Sequence, residues 1–416
     1  MELLNKEEIL SIAKICGFNN VISWCIEEFP NKVIGYLGDH LKLVIQVESK
    51  GIRTNLNLFI KCMPRLDKWK AQYLKELNFF KKEYVMLSKL FKDFRSIEAS
   101  RKWRPKLLFI KEDIFVFENI TTIGYSMPDH KETMPLEMLR AAVKSLARFH
   151  AESYIYEENK SKELGRPYRI WEDYSEYLQE PEQGMAWRNT GRNGVIDFLK
   201  VFSRFKAESN FSRHLDFIIP MLYDGALALM KPSSEYRNVV AHRDLWTNNI
   251  LLKKCEDSYH AVLVDFQTVL YCSPMLDLSS LIFFNTTRSD RYNYTDELID
   301  LYYDTISEEL LIEDIQINEI MDKDTLIKAY NDSIMFGITQ AALIVPIVSM
   351  TEEKRKQIFY DPENCKKANV VSRGEYFIEI AKEDASYRKR VLELFDEIIE
   401  RYIYPHESSQ HRPDKH

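Results

Sequence analysis

Residues 239–267 read VVAHRDLWTNNILLKKCEDSYHAVLVDFQ, and the fold prediction starts from this stretch. Three short apolar runs (VVAH, NILL and AVLVDF) alternate with polar turns, which predicts a small cluster of strands inside a mainly helical region. His242 and Asp244 lie in a loop between two apolar runs, and Asn249 follows the aspartate by five positions. Asp265 ends the buried strand AVLVD, where an unpaired carboxylate costs several kcal/mol. We therefore expect these polar side chains to meet at one site.

The flanking sequence predicts two regions of different character. Up to about residue 120, alternating apolar residues in LKLVIQVE (41–48) and LNLFIKC (56–62) predict a β-hairpin, and IFVFENI (114–120) predicts a buried strand. A helix is expected before the last strand, from apolar residues spaced three or four apart: Leu77, Phe80, Tyr84, Leu87 and Phe91. The second region is mainly helical, with an apolar stripe that starts just after Pro135. Residues 406–416 are polar and are expected to form a frayed tail.

The composition excludes several classes of protein. The chain has 416 residues, of which 45% are hydrophobic and 29% are charged, so it can bury a sizeable core. Its 57 basic and 64 acidic residues give a formal net charge of −7, which is the wrong sign for a general binder of nucleic acids or anionic membranes. Neither G-x-G-x-x-G nor G-x-x-x-x-G-K-[ST] occurs, which removes the main sequence support for dinucleotide-binding and P-loop folds.

The sequence also predicts a cytoplasmic protein without a membrane span. Its six cysteines form no C-x-x-C pair, so reduced thiols are expected rather than disulfides or a zinc site. The first residues, MELLNKEEILSIAKICGF, lack the basic and apolar regions of a signal peptide. The most apolar stretch, 334–350, is barely long enough to cross a membrane and is interrupted by Gly337 and Pro346. It is interpreted as a buried helix.

Two carboxylates and one carboxamide in a single cleft suit ATP-dependent phosphoryl transfer. In such a site, Asp244 would orient the attacking hydroxyl and take its proton. Asn249 and Asp265 would hold Mg²⁺ against the phosphates, because Mg²⁺ prefers oxygen ligands. The sequence therefore predicts ATP and Mg²⁺ as cofactors, with Asp244, Asn249 and Asp265 as the catalytic residues.

The motif H-x-D-x-x-x-x-N, followed by D-F, resembles the protein-kinase-like superfamily. Three features separate the chain from protein kinases: Trp246 replaces their lysine, D-F-Q (265–267) replaces D-F-G, and no A-P-E follows. SPMLDL (273–278) comes soon afterwards, so no long activation segment is expected. Together, HRDLWTNNILL, VDFQ and SPMLDL resemble the ecdysteroid kinase-like family of arthropod small-molecule kinases, which are related to choline kinases and aminoglycoside phosphotransferases. The likeness covers most of the chain.

The resemblance implies an α+β, two-lobed protein-kinase-like fold. Residues 1–120 would form a small N-lobe with an antiparallel sheet, and residues 121–405 would form a large, mainly helical C-lobe. In the N-lobe, Lys61 matches the lysine that grips the α- and β-phosphates of the nucleotide. A physical argument adds Glu83, which lies on the apolar stripe of the predicted helix. A carboxylate on that face needs a cation, and Lys61 is the natural partner.

The strand that links the two lobes would contact adenine through its backbone. By the resemblance, its residues are Phe117, Glu118, Asn119 and Ile120. Phe59 could cover the adenine ring, although an aromatic residue at such a position is more often part of the core. Gly35 and Gly38 lie in the segment that would cover the phosphates, which makes Gly38 a candidate nucleotide contact.

Two further residues are expected to support the catalytic loop rather than to react. Asp277 resembles the family aspartate that braces this loop through backbone amides. His242 resembles a residue that organises the loop and does not transfer protons. Arg243 is expected to pack or to lie at the surface, because the chain has no activation segment for it to contact.

The resemblance also implies that the acceptor is a hydroxyl of a small molecule, with ecdysteroids as the named example. Ten aromatic residues between Tyr168 and Phe217 are weakly consistent with a cavity for a steroid or a xenobiotic, although most of them are expected to be helix core. A choline-, ethanolamine- or aminoglycoside-type kinase stays open as an alternative, and so does a catalytically silent pseudokinase. The sequence indicates no obligate protein partner.

Overall fold

The computed structural model describes residues 3–28, 38–95, 101–128, 133–181 and 185–405. Within these ranges the strands are β1 (Val21–Glu28), β2 (Asp39–Ser49), β3 (Ile52–Cys62), β4 (Leu107–Lys111), β5 (Ile114–Glu118), β6 (Val239–Ala241), β7 (Ile250–Cys255), β8 (Ser258–Leu263) and β9 (Leu270–Cys272). The α-helices are α1 (Lys6–Ile15), α2 (Lys68–Glu76), α3 (Phe79–Val85), α4 (Phe91–Asp93), α5 (Leu136–Leu164), α6 (Trp171–Tyr174), α7 (Met185–Phe202), α8 (Phe211–Leu229), α9 (Met275–Asn285), α10 (Arg288–Leu311), α11 (Ile317–Ile320), α12 (Lys323–Val348), α13 (Glu352–Phe359), α14 (Pro362–Lys366), α15 (Gly374–Glu383) and α16 (Ala385–Tyr402).

An antiparallel sheet forms the N-terminal part of the fold, with strand order β1-β2-β3-β5-β4. β2 and β3 pair along their whole length, so the predicted hairpin is confirmed. Its turn is shorter than the sequence suggested, because Lys50 and Gly51 alone connect the strands. Both residues have positive φ, 50° and 79°, as a tight two-residue hairpin turn requires. The helix α1 packs against this sheet over a small apolar core of its own.

The prediction of a single helix over residues 77–91 is wrong in its extent, because the helix is interrupted at Asn78. Asn78 has a φ of 57°, in the left-handed region, and it separates α2 from α3. Asparagine tolerates this conformation better than most residues do. A π-helical segment, Met86–Leu90, then joins α3 to α4. The predicted apolar positions still pack inward, and the buried ones are Leu77, Phe80, Leu87 and Phe91.

Two predicted strands end earlier than expected. β5 ends at Glu118, and Asn119 caps a short 3₁₀ segment by accepting a hydrogen bond from the N–H of Thr121 at 3.2 Å. β8 ends at Leu263, so Asp265 lies two residues beyond the strand and has a φ of 70°. Such a conformation is uncommon outside glycine and persists only where the surrounding structure holds it.

The second part of the chain is mainly helical, as predicted. α9 packs against α12, and α5 packs against α10 and against β6, β7 and β8. The strands pair as β6–β9 and β7–β8. α12 is long and apolar enough to cross a membrane, but 72% of its apolar window is buried inside the protein. This burial agrees with the predicted core helix. The lobe boundary near residue 120 stays a prediction, and the expected tail, 406–416, lies outside the described residues.

Candidate active site

Lys61 joins the sheet to the segment that follows β8. The side chain lies on β3 with 4% of its surface exposed, and its Nζ donates to Oε2 of Glu83 at 2.5 Å and to Oδ1 of Asp265 at 2.7 Å. Glu83 comes from α3, and its Oε1 accepts a hydrogen bond from the backbone N–H of Phe266 at 3.1 Å. The Lys61–Glu83 ion pair expected from the sequence is therefore present, and Asp265 completes it.

These opposite charges lie close together in a buried setting. Burial alone would lower the pKa of Lys61, but the negative charges of Asp265 and Glu83 outweigh it and raise the pKa above its ordinary value. Burial raises the pKa of Glu83 to about 7, against the opposing charge of Lys61. An ammonium group at hydrogen-bond distance stabilises the carboxylate form. Lys61 therefore carries a positive charge at neutral pH, held by two acidic partners.

Asp244 and Asn249 lie together in the loop before β7. The Nδ2 of Asn249 donates to Oδ2 of Asp244 at 3.0 Å and to the backbone oxygen of Asp244 at 2.7 Å. Burial raises the pKa of Asp244, and the negative charge of Asp265 raises it further. A carboxylate with a raised pKa holds a proton more readily, and this suits a general base.

Asp277, in the first turn of α9, holds the loop that contains Asp244. Its fully buried carboxylate accepts hydrogen bonds from the backbone N–H groups of His242, at 2.5 Å, and of Arg243, at 2.6 Å. His242 in turn contacts the backbone oxygen of Val264 through Nε2 at 2.9 Å, which ties the loop to the end of β8. These are the contacts that the predicted bracing and organising roles require.

Arg243 is buried and pairs with Glu180, which precedes α7. The sequence left open whether Arg243 is packed inside the protein or lies at the surface. In the structure it is packed inside. Glu180 also lies 3.4 Å from Nε of Arg188 on α7. Burial would raise the pKa of Glu180, but the positive charges of Arg243, Arg188 and Lys82 outweigh burial and lower the pKa to about 2. The sequence analysis did not find Glu180, because the residue lies outside every motif.

A cleft opens beside Lys61. Glu83, Asn249 and Asp265 line it together with Lys61. The residues expected to meet adenine line it as well: Phe117, Glu118, Asn119 and Ile120. Phe59 also lines the cleft. The cleft is therefore the candidate nucleotide site, and the sequence had predicted most of its polar lining.

His40 is a residue of this cleft that the sequence analysis missed. Its ring packs against Phe59, with 5.2 Å between the ring centres. Burial lowers the pKa of His40 to about 4, and the positive charge of Lys61 contributes to the shift. The ring is therefore neutral at pH 7. His40 lies opposite Lys61 in the β2–β3 register, which the longer turn expected from the sequence did not give.

Two predicted nucleotide contacts are less direct than the resemblance implied. The Glu118 carboxylate accepts a hydrogen bond from the N–H of Lys106 at 2.5 Å and pairs with Lys102. Its own backbone N–H donates to the oxygen of Lys106 at 3.0 Å, so this donor is already used. Gly38 lies against β3 and is absent from the described residues that line the cleft. Gly35 lies outside the described residues.

A second cavity meets the cleft at the predicted catalytic residues. Asn249 and Asp265 line both spaces. Among the described lining residues, Lys61 belongs to the cleft and Asp244 to the second cavity. The carboxylates of Asp244 and Asp265 therefore lie where a molecule in the cleft would meet a molecule in the second cavity.

The wall of the second cavity is largely apolar. Its apolar and aromatic lining residues are Tyr73, Leu77, Phe79, Pro181, Trp187, Trp246, Ile344, Ile347, Val348, Phe359 and Cys365. Of the aromatic residues that the sequence offered between 168 and 217, Trp187 is the one among the described lining residues. Phe198 and Phe211 are buried in the helical core, as expected for most of that group. The sequence position of Trp246, two residues after Asp244, could have indicated that it lies close to the site.

The junction of the two cavities fits a divalent cation. Asp265 and Asn249 offer carboxylate and carboxamide oxygens, which are the ligands that Mg²⁺ prefers. In the described structure, the side-chain hydrogen bonds of Asn249 use Nδ2, so Oδ1 is the atom available to a cation. The described residues contain no group of three or more His, Cys, Asp or Glu side chains arranged for a metal ion. Phosphate oxygens and water would supply the remaining ligands, as is usual for Mg²⁺.

Comparison with solved structures finds small-molecule kinases at low identity. The ethanolamine kinase of Plasmodium vivax is 13% identical, with 94% of this chain and 87% of that chain covered and a TM-score of 0.40. The choline kinase LicA from Streptococcus pneumoniae is 11% identical, with 94% and 100% covered and a TM-score of 0.39. A microcompartment-associated aminopropanol kinase is 12% identical, with 93% and 99% covered and a TM-score of 0.35. The search of curated proteins found no match.

The family comparison covers more than half of the chain. The family described as "Ecdysteroid kinase-like family" matches residues 33–313, a range that contains the cleft strands and the catalytic loop. The fold is the predicted α+β, two-lobed kinase-like fold, with an antiparallel sheet followed by a mainly helical part. The match supports a small-molecule kinase. On this match, the chain belongs to the ecdysteroid kinase-like family.

Proposed function

We propose that the chain transfers the terminal phosphate of Mg²⁺-bound ATP to a hydroxyl of a small apolar molecule, an ecdysteroid or another steroid or xenobiotic. The observation that carries this proposal is the junction of the two cavities. Lys61 lines the cleft, Asp244 lines the second cavity, and Asp265 lines both. A nucleotide in the cleft and an alcohol in the second cavity would therefore meet at the two carboxylates.

Each residue of the junction has a part in the proposed reaction. Asp244 takes the proton of the acceptor hydroxyl while the oxygen of that hydroxyl forms a bond to the γ-phosphorus. The bond between the γ-phosphorus and the β–γ bridging oxygen breaks, which releases ADP. Asn249 holds Asp244 through two hydrogen bonds. Lys61, fixed by Glu83, binds the α- and β-phosphates. Mg²⁺, held by Asp265 and Asn249 when bound, neutralises charge on the phosphate oxygens.

The lining of the second cavity supports an apolar acceptor over a cationic one. A choline-type ligand needs an aromatic cage with carboxylates that face its cation. Among the described lining residues, the acidic ones are Asp244, Asp265 and Glu180. The first two are assigned to the transfer itself, and Glu180 is neutralised by Arg243 and Arg188. No carboxylate among the described lining residues is left over for a quaternary ammonium group.

A panel assay of ADP release tests the proposal. The full chain is incubated with Mg²⁺-ATP and, separately, with ecdysteroids, choline, ethanolamine, aminoglycosides and glucosylated phenolics. We expect ADP release that depends on a steroidal or phenolic alcohol and on Mg²⁺. Turnover of choline with none of the steroids would support the cationic alternative. ATP binding without turnover of any compound would support a catalytically silent protein.

A further inference from the structure

Gln340 is a polar side chain on an otherwise apolar helix face. It lies on α12, and Ile344, Ile347 and Val348 follow it at positions i+4, i+7 and i+8. At this spacing the four side chains share one face of the helix. All four line the second cavity. The helix therefore presents three aliphatic side chains and one carboxamide to that cavity.

The carboxamide oxygen of Gln340 is buried without a hydrogen-bond partner among the described residues. The residue is 4% exposed, and the unpartnered atom is Oε1. Buried polar groups in folded proteins nearly always have partners, so an unpartnered one calls for an explanation. A carboxamide offers one acceptor and two donors, and it can bond either a hydroxyl or a carbonyl group. Because Gln340 lines the second cavity, a molecule bound there can supply a partner for this carboxamide.

We propose that Gln340 is a specificity-determining residue of the acceptor cavity, where it hydrogen-bonds a second polar group of the acceptor. This inference rests on the proposed function, because it takes the second cavity as the acceptor site. Asp244 comes from the catalytic loop and Gln340 from α12, and both line the same space. The preferred acceptor is then a molecule with an apolar body and two polar groups, one directed to Asp244 and the other to Gln340.

Calorimetric titration without nucleotide tests this assignment independently of turnover. The probes are estradiol and the analogue that lacks the hydroxyl of its five-membered ring. We expect the wild-type chain to bind the diol up to about tenfold more tightly, which is the contribution of one hydrogen bond. Gln340→Leu, which keeps the size of the side chain, should remove this difference while retaining affinity for the mono-alcohol.

Controls separate the possible failures. Gln316→Leu makes the same change at an exposed position before α11 and should keep the wild-type preference for the diol. If Gln340→Leu does not fold, Gln340→Met provides the same test. The assignment is overturned if either Gln340 variant keeps the preference, if the wild-type chain lacks it, or if the wild-type chain binds neither probe. A Gln340-dependent preference without ADP release would instead count against the proposed kinase activity and leave the binding role standing.

Discussion

Lys61 and Asp265 are 204 residues apart in sequence, yet Nζ of Lys61 lies 2.7 Å from Oδ1 of Asp265. The contact joins the N-terminal sheet to the segment that follows β8. Glu83 accepts hydrogen bonds from Lys61 and from the backbone N–H of Phe266, the residue after Asp265. The positions of the proposed phosphate-binding and metal-binding side chains are therefore coupled through one buried cluster of charges.

Replacing Lys61 by methionine should abolish this coupling. Glu83 and Asp265 would lose their shared cation, and removal of one partner of a buried ion pair costs about 3–5 kcal/mol. We expect the free energy of unfolding, measured with urea, to fall by about that amount. The affinity for Mg²⁺-ATP, measured by calorimetry, should fall at least about tenfold.

Lys42→Met on the neighbouring strand β2 is the matched control. Its ammonium is partly exposed and lies 3.8 Å from Glu27, and such exposed pairs contribute at most about 1 kcal/mol. Wild-type affinity for Mg²⁺-ATP in Lys61→Met would contradict the assignment of Lys61 to the nucleotide.

Asp244→Asn should separate chemistry from nucleotide binding. The substitution keeps the size of the side chain but removes the group that takes the proton, so we expect kcat to fall by about 10²–10⁴-fold. Affinity for Mg²⁺-ATP should stay near that of the wild-type chain, since Asp244 lines the second cavity rather than the cleft. Asp257→Asn, in the exposed turn between β7 and β8, is the control and should keep wild-type turnover. Turnover of an identified acceptor at the wild-type rate by Asp244→Asn would show that another group is the base.

The polar residues of this site could be predicted from the sequence, because burial and motif spacing restrict where such residues can lie. The resemblance singled out Lys61, and the rule that a carboxylate on the apolar face of a helix needs a cation linked Glu83 to it. The spacing within residues 239–267 likewise indicated that Asp244, Asn249 and Asp265 converge. Their places at the junction agree with the predicted roles, and the roles themselves stay predictions until variants are assayed.

The second cavity could not be predicted in the same way. Its walls come from α2, α7, α12 and α13, with residues such as Tyr73, Trp187, Gln340 and Phe359. Apolar spacing shows which face of a helix is buried, but it does not distinguish a face packed in the core from one that borders a cavity. The break at Asn78 was missed for a related reason. The apolar periodicity runs through it, while a single left-handed residue redirects the chain.

Removing the carboxylate of Asp277 should loosen the catalytic loop. In Asp277→Ala, the backbone N–H groups of His242 and Arg243 lose a charged acceptor, and Nε2 of His150 loses its partner at 3.0 Å. Leaving such buried groups unsatisfied should lower the free energy of unfolding by about 3–5 kcal/mol. Ser280→Ala, one turn later on α9, removes a hydroxyl that bonds within its own helix and should cost about 1 kcal/mol or less. Equal urea midpoints for the two variants would contradict the bracing role.

The stability of the protein should rise with pH between about 7 and 10 because of Lys82. This buried side chain donates to the backbone oxygens of Gln179 and Val269, each at 3.0 Å. Burial lowers the pKa of Lys82 to about 7, the positive charge of Arg243 adds to the shift, and Glu180 opposes it. In the unfolded chain a lysine keeps its proton up to a pH of about 10.4. Between these values the unfolded state binds more protons, so the free energy of unfolding increases with pH, by up to about 1.4 kcal/mol per pH unit.

Urea unfolding at a series of pH values checks this expectation. Lys82→Met removes the titrating group, so the free energy of unfolding of this variant should rise less steeply than that of the wild-type chain, by up to about 1.4 kcal/mol per pH unit. Lys81→Met is the control. Its neighbouring side chain is largely exposed and lies 3.7 Å from Glu176, so the wild-type slope should be retained. Identical slopes in wild type and Lys82→Met would mean that Lys82 keeps its proton in the folded state over this whole range, with Glu180 and the two backbone oxygens compensating for its burial.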